Sequence, residues 1–128
     1  GWGVVLAYLQ KQGIDCGGID IDIHTKPYVD VVNKYNKTEV DVLYMDYKEL
    51  PKKVFGRIDL IIGCDICYWE QHVGNIQKLI AKARCPVLIA DPGRDTFWEL
   101  TEKVKGNLHE IVLKKPRAVR GYVYEILP

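Results

Sequence analysis

Apolar positions recur along this chain in two periods, and the periods alternate. Within residues 4–13, Val5, Leu6, Tyr8 and Leu9 repeat at helical spacing and Gly13 offers a C-terminal stop. Residues 14–21 read as a short strand ending near Asp20 and Asp22. Tyr28, Val31, Val32 and Tyr35 then return to helical spacing over residues 24–36, with Pro27 tolerable only in the first turn. Residues 40–45 alternate again, Val40, Val42 and Tyr44 against Asp41, Leu43 and Met45. They form a strand that ends at Asp46 and Tyr47. Lys52–Gly56 reads as a polar loop. Ile58, Leu60, Ile61 and Ile62 make a short β-branched run, the signature of a central strand buried on both faces.

The second half repeats the alternation. Val73, Ile76, Leu79, Ile80 and Ala83 form one stripe of a helix over residues 70–83. Residues 86–90 are an apolar strand closed by Asp91-Pro92-Gly93-Arg94. A helix over residues 95–105 follows, with Asp95 as its N-cap and Phe97, Trp98, Leu100, Thr101 and Val104 along its faces. Residues 108–113 and 121–127 are strands joined by residues 114–120 as an antiparallel hairpin. Helices alternating with strands imply an α/β fold: a Rossmann-like, mostly parallel sheet with helices on both faces and a C-terminal antiparallel hairpin. Gly1-Trp2-Gly3 leads straight into the first helix, and glycine turns of that kind normally follow a strand. We therefore expect a single domain over residues 1–128, incomplete at its N-terminus, with its first strand missing.

Composition narrows the function without naming it. One hundred and twenty-eight residues, 48% hydrophobic and 27% charged, suit one globular domain with a real core. A formal charge of +1 makes no electrostatic case for nucleic acid or an anionic membrane, and no apolar run approaches the length of a membrane span. No basic-then-apolar leader is present, and cysteines in buried strands suit a reduced, cytoplasmic chain. Cys64-Asp65-Ile66-Cys67 fits C-x-x-C, but with no second pair it points to no metal.

Candidate chemistry collects where strands end. The Gly1-Trp2-Gly3 turn would let a ligand approach the backbone at a helix start. Asp20, at the end of the next strand, is placed to accept both ribose hydroxyls of a nucleotide cofactor; the plainer reading is a solvated loop acid. Asp46 and Tyr47 could contact an adenine or merely satisfy a turn. Cys64, Asp65, Tyr68 and Trp69 lie past the run of isoleucines, where a reactive end and a substrate should meet. Alternatively Asp65 caps a helix, with Tyr68 and Trp69 in the core. His24, His72 and His109 are isolated and read as surface or packing residues.

As a set these residues resemble the class I, seven-strand S-adenosylmethionine-dependent methyltransferases. Gly1-Trp2-Gly3 matches the end of that family's glycine-rich first motif, Gly18-Ile19-Asp20-Ile21-Asp22 its ribose-binding second strand, and Asp46-Tyr47 its adenine-side third strand. Within the family, Cys64-Asp65-Ile66-Cys67-Tyr68 is similar to the Asp-x-x-Tyr motif of a lysine methyltransferase branch akin to nicotinamide N-methyltransferase. Asp91-Pro92-Gly93-Arg94 is similar to a segment of that branch's bacterial and mitochondrial members. The resemblance implies S-adenosylmethionine as cofactor, held by Gly1, Gly3, Asp20, Ile21, Asp46, Tyr47 and Cys64. It also implies methyl transfer to an amine or protein side chain, from a protein or small-molecule acceptor, at Asp65 and Tyr68. Two rivals share the glycine turn and the acid after the next strand. One is a nicotinamide-dinucleotide-dependent oxidoreductase, which would want glycine where Leu6 stands. The other is a non-catalytic nucleotide-binding domain of the same fold.

Overall fold

The computed structural model describes residues 1–128, which divide into two compact units, Gly1–Leu50 and Pro51–Pro128. In the first, helix α1 (Val4–Lys11) precedes strand β1 (Gly17–Asp20), helix α2 (Lys26–Asn36) and strand β2 (Asp41–Tyr44). The two strands pair in parallel, Gly17 opposite Asp41 and Asp20 opposite Tyr44. Gly3 starts α1 from a left-handed backbone, φ 75°, and a Cβ there would lie 3.5 Å from Val29 of α2. The turn therefore needs glycine for its conformation more than for space. Pro27 sits in the first turn of α2 as expected, after a short 3-10 turn whose N-cap is Asp22.

The buried stripe of α2 differs from the expected one. Val29 is buried, whereas Tyr28, Val31 and Tyr35 are exposed, Tyr35 to 90%. Val29 packs against the Gly3 turn at the start of α1. Asn33, on the same side, closes the unit by accepting from Val40 N–H and donating to Val40 C=O, 3.2 Å each.

In the second unit, strand β3 (Ile61–Cys64), helix α3 (Glu70–Lys82), strand β4 (Val87–Asp91) and helix α4 (Asp95–Lys103) lead to the hairpin of β5 (Asn107–Leu113) and β6 (Val119–Ile126). The sheet order is β3-β4-β6-β5; β3 and β4 are parallel, and β6 runs antiparallel to both β4 and β5. The core joins Val73 and Ile76 of α3, Val87 and Ile89 of β4, Phe97 and Leu100 of α4, and Tyr124 and Ile126 of β6. Burying those apolar side chains is the main force holding this unit together.

Three expectations are corrected here. β3 begins at Ile61, forms one edge of its sheet, and leaves Ile62 exposed, so it is neither central in this sheet nor buried on both faces. Lys52–Gly56 is a 3-10 helix rather than a polar loop, because Phe55 is buried to 3% exposure. Asp95 is the first helical residue of α4 and caps nothing; the side chain of Asp91 accepts the preceding N–H groups instead. In the first unit α1 packs against α2, and in the second α3 packs against α4. Ile19 and Leu43 are exposed. No helix is long and apolar enough to cross a membrane.

Candidate functional site

In the first unit the chemistry lies at the carboxyl ends of β1 and β2. Asp20 ends β1. Its Oδ1 accepts the backbone N–H of Asp22 at 2.9 Å, and its Oδ2 pairs with the amino nitrogen of Gly1. A carboxylate has about four acceptor sites, and two are occupied here, so Asp20 retains capacity for a ligand hydroxyl. Ile21 follows β1 and is exposed. Asp46 follows β2, where its carboxylate accepts from Lys48 N–H at 2.9 Å and pairs with Lys48 Nζ at 2.8 Å. It caps the short 3-10 turn that Tyr47 begins, so the turn-satisfying role is present whatever else Asp46 does. Tyr44, opposite Asp20, carries a buried hydroxyl with no hydrogen-bond partner.

In the second unit the site grows from two loops. The β3–α3 loop begins with Asp65 in the left-handed region, φ 60°, a conformation that Asp tolerates better than most residues. Its backbone N–H bonds Ala90 O at 2.8 Å, which ties the loop to β4. Tyr68 donates its hydroxyl to Asp65 Oδ2 at 3.2 Å.

The β4–α4 loop is more firmly built. Asp91 Oδ1 accepts from Gly93 N–H at 2.8 Å and Arg94 N–H at 2.9 Å, and Trp98 Nε1 donates to Gly93 O at 3.1 Å. Gly93 has φ 102°, and a Cβ there would stand 2.8 Å from the ring of Tyr122. Both conformation and space therefore require glycine. This rigid loop presents Arg94. The guanidinium donates to Asp65 Oδ1 and, at 2.9 Å, to Asp91 Oδ2, and it lies 4.1 Å over the ring of Tyr68. Pairing with Asp65, and then with Asp91, holds Arg94 firmly charged, against the opposing pull of burial.

Asp65 and Tyr68 are thus hydrogen-bonded to each other, and Arg94, to which the sequence assigned no role, bridges Asp65 to Asp91. Tyr68 and Trp69 are 53% and 63% exposed, so neither is core. Nor does Asp65 cap a helix, since α3 starts only after Trp69. Together Tyr68, Trp69, Glu70, Gln71, Arg94, Asp95 and Thr96 line an open groove of about 640 Å³. Asp65, Glu70 and Asp95 are all exposed, and Arg94 is the single cation among these residues, so the groove is acidic as well as aromatic.

Cys64 ends β3 and is exposed, but partial burial, and then Asp65, push its thiol pKa up. Cys67 is fully buried, and burial pushes its thiol up to about 11. Neither is poised as a nucleophile at neutral pH.

No family model matches the chain, and no curated protein matches it. Solved structures do. The chain aligns over 97% of its length with the Pyrococcus abyssi tRNA (uracil-54, C5)-methyltransferase in complex with S-adenosyl-L-homocysteine, at a TM-score of 0.66 and 14% identity, covering 31% of that chain. It aligns over 99% with the S. pombe Dnmt2 methyltransferase, at 0.63 and 19% identity, covering 47% of that chain. A third alignment, also over 99%, is with an rRNA methylase from Streptococcus thermophilus, at 0.63 and 10% identity, covering 81% of that chain. At these identities the likeness is one of fold: the chain shares a Rossmann-like α/β fold with these methyltransferases. It spans less than half of the first two proteins.

Proposed function

We propose that this chain belongs to an S-adenosylmethionine-dependent methyltransferase whose acceptor is an amine, most simply a lysine side chain of a protein. The fold supports the reaction class. One observation carries the acceptor class, the acidic and aromatic groove at the ends of β3 and β4, where Glu70 and Asp95 line the surface and the one guanidinium, that of Arg94, is already paired with Asp65 and Asp91. A cation is drawn to such a groove by charge and by the exposed ring of Trp69.

The first unit's donor set fits the cofactor. Bound S-adenosylmethionine supplies an electrophilic methyl group on a sulfonium sulfur. Asp20 would accept its ribose hydroxyls with the oxygens' unused acceptor capacity, and Gly1 and Gly3 would leave room for its amino-acid end. Ile21, Asp46 and Tyr47 would meet the adenine side. In the second unit, Cys64 would line the cofactor edge. Asp65 would hold an N–H of the acceptor and so fix the direction of its lone pair, while Tyr68 would exclude water beside it.

An RNA acceptor is the second reading, because the names of two matched proteins specify tRNA and rRNA. It weighs against the absence of a nucleic-acid signal in net charge, but the groove's acids disfavour a phosphate backbone there. Labelled methyl transfer into cell extract distinguishes the two. Amine transfer predicts label in protease-sensitive material, recovered as methyl-lysine. Asp65→Asn should then lower turnover about tenfold or more with cofactor affinity unchanged. Label in ribonuclease-sensitive material, or equal losses of turnover and cofactor affinity, would contradict the proposal.

A further inference from the structure

We propose that the β5–β6 hairpin is a docking arm for an acidic, partly apolar surface on the same protein whose lysine enters the groove; this rests on the amine-acceptor reading. The register places the arm. β4 ends at Asp91, opposite Tyr122, and β6 runs antiparallel to it. Three further pairs, Ile111 with Gly121, Val112 with Arg120 and Leu113 with Val119, therefore lie beyond the carboxyl end of β4. At about 3.3 Å per residue the ladder overhangs the sheet by about 10 Å before its turn begins. Asp65 and Arg94 stand at that same edge, so the arm rises beside the groove.

Its chemistry is the reverse of the groove's. Lys114, Lys115, Arg117 and Arg120 fall within seven residues that contain no acid, in a chain whose formal charge is +1; the rest of the chain therefore sums to −3. Only Arg120 is paired, its Nε 2.7 Å from Glu110. Ile111, Val112, Leu113 and Val119 are about half exposed on the overhang. A two-stranded ribbon is marginal on its own, and one showing apolar side chains gains from a covering partner.

The occupant must satisfy both surfaces. A nucleic acid would be attracted to the arm and repelled by Asp65, Glu70 and Asp95, and its phosphates offer nothing to the four aliphatic side chains. A protein segment carrying a lysine for the groove, with acidic and aliphatic residues about 10–15 Å away, meets every feature.

Fluorescence anisotropy tests this with labelled peptides of about 15 residues, each with one lysine followed by alternating Glu and Leu, long enough to reach from groove to arm. The comparisons are the same peptide with Gln in place of Glu, a single-stranded RNA of similar length, and vesicles containing anionic lipid. The Glu peptide should bind about tenfold tighter than the Gln peptide, from several exposed charge pairs acting together. The variant Lys114→Glu/Lys115→Glu/Arg117→Glu should lose that preference and keep its S-adenosylhomocysteine affinity by calorimetry. Equal binding of the Glu and Gln peptides overturns the proposal, as does tighter binding of the RNA or the vesicles. Absence of S-adenosylhomocysteine binding in the unaltered protein counts against the enzyme reading alone, because the peptide preference reports the arm independently.

Discussion

Arg94 bridges two carboxylates that differ in burial, and its removal should expose that difference. The Asp91 side chain is fully buried, whereas that of Asp65 is 49% exposed. In Arg94→Met, Asp91 Oδ1 keeps its two backbone N–H partners, but Oδ2 loses its only charged partner. Losing a charge-assisted hydrogen bond to a buried carboxylate costs about 1.5–3 kcal/mol. The exposed pair with Asp65 contributes about 0–1 kcal/mol, and the ring contact with Tyr68 about 0.5 kcal/mol. The variant should therefore lose about 2–4.5 kcal/mol, mostly through Asp91. Urea unfolding of two double-mutant cycles, Arg94→Met with Asp91→Asn and Arg94→Met with Asp65→Asn, separates the contributions. Coupling to Asp91 should exceed about 1.5 kcal/mol and coupling to Asp65 should stay below about 1 kcal/mol. An Asp65 coupling equal to or larger than that of Asp91 would refute the assignment of Asp91 as the buried anchor and Asp65 as the weakly coupled, exposed partner.

Two further outcomes follow from buried groups. Tyr44→Phe removes a buried hydroxyl that has no partner, so it should leave stability unchanged or raise it by up to about 1 kcal/mol, read as an increased Tm. Burial raises the pKa of Cys67 to about 11 and raises that of Tyr124. Both groups are neutral in either state below their unfolded pKa values, and above these the unfolded chain ionises first. Stability should thus be flat through neutral pH and fall between about pH 9 and 11. Cys67→Ala should remove part of that alkaline slope in urea titrations; an unchanged slope would exclude Cys67 as its source.

The sequence revealed the elements better than their faces. The stripes of α3 and α4 were legible because Val73, Ile76, Phe97 and Leu100 are large apolar residues at clean helical spacing, and burial follows from that alone. The α2 stripe was not, because Tyr28, Val31 and Tyr35 satisfy the same period as Val29. What marks the buried side is packing against Gly3, 26 residues earlier, and the bond of Asn33 to Val40, neither of which a local period shows. Phe55 was hidden among lysines, where no period could mark it.

At the candidate site, the position of Asp20, Asp46 and Asp65 at or just past the ends of strands was readable from the apolar runs that precede them. Arg94 was not assigned a role, because its partner Asp65 lies 29 residues away. The signal lay in Asp91-Pro92-Gly93-Arg94 closing the neighbouring parallel strand, since parallel neighbours end at the same edge. The exposure of Tyr68 and Trp69 could not be read from residue type, which favours burial.

The cofactor site is tested most directly by titration calorimetry of S-adenosylhomocysteine against this chain and its Asp20→Ala variant. The account predicts binding by the unaltered chain and a loss of about a hundredfold in the variant, the equivalent of two hydrogen bonds from ribose hydroxyls to a carboxylate. Equal affinities, or no binding by the unaltered chain, would contradict it.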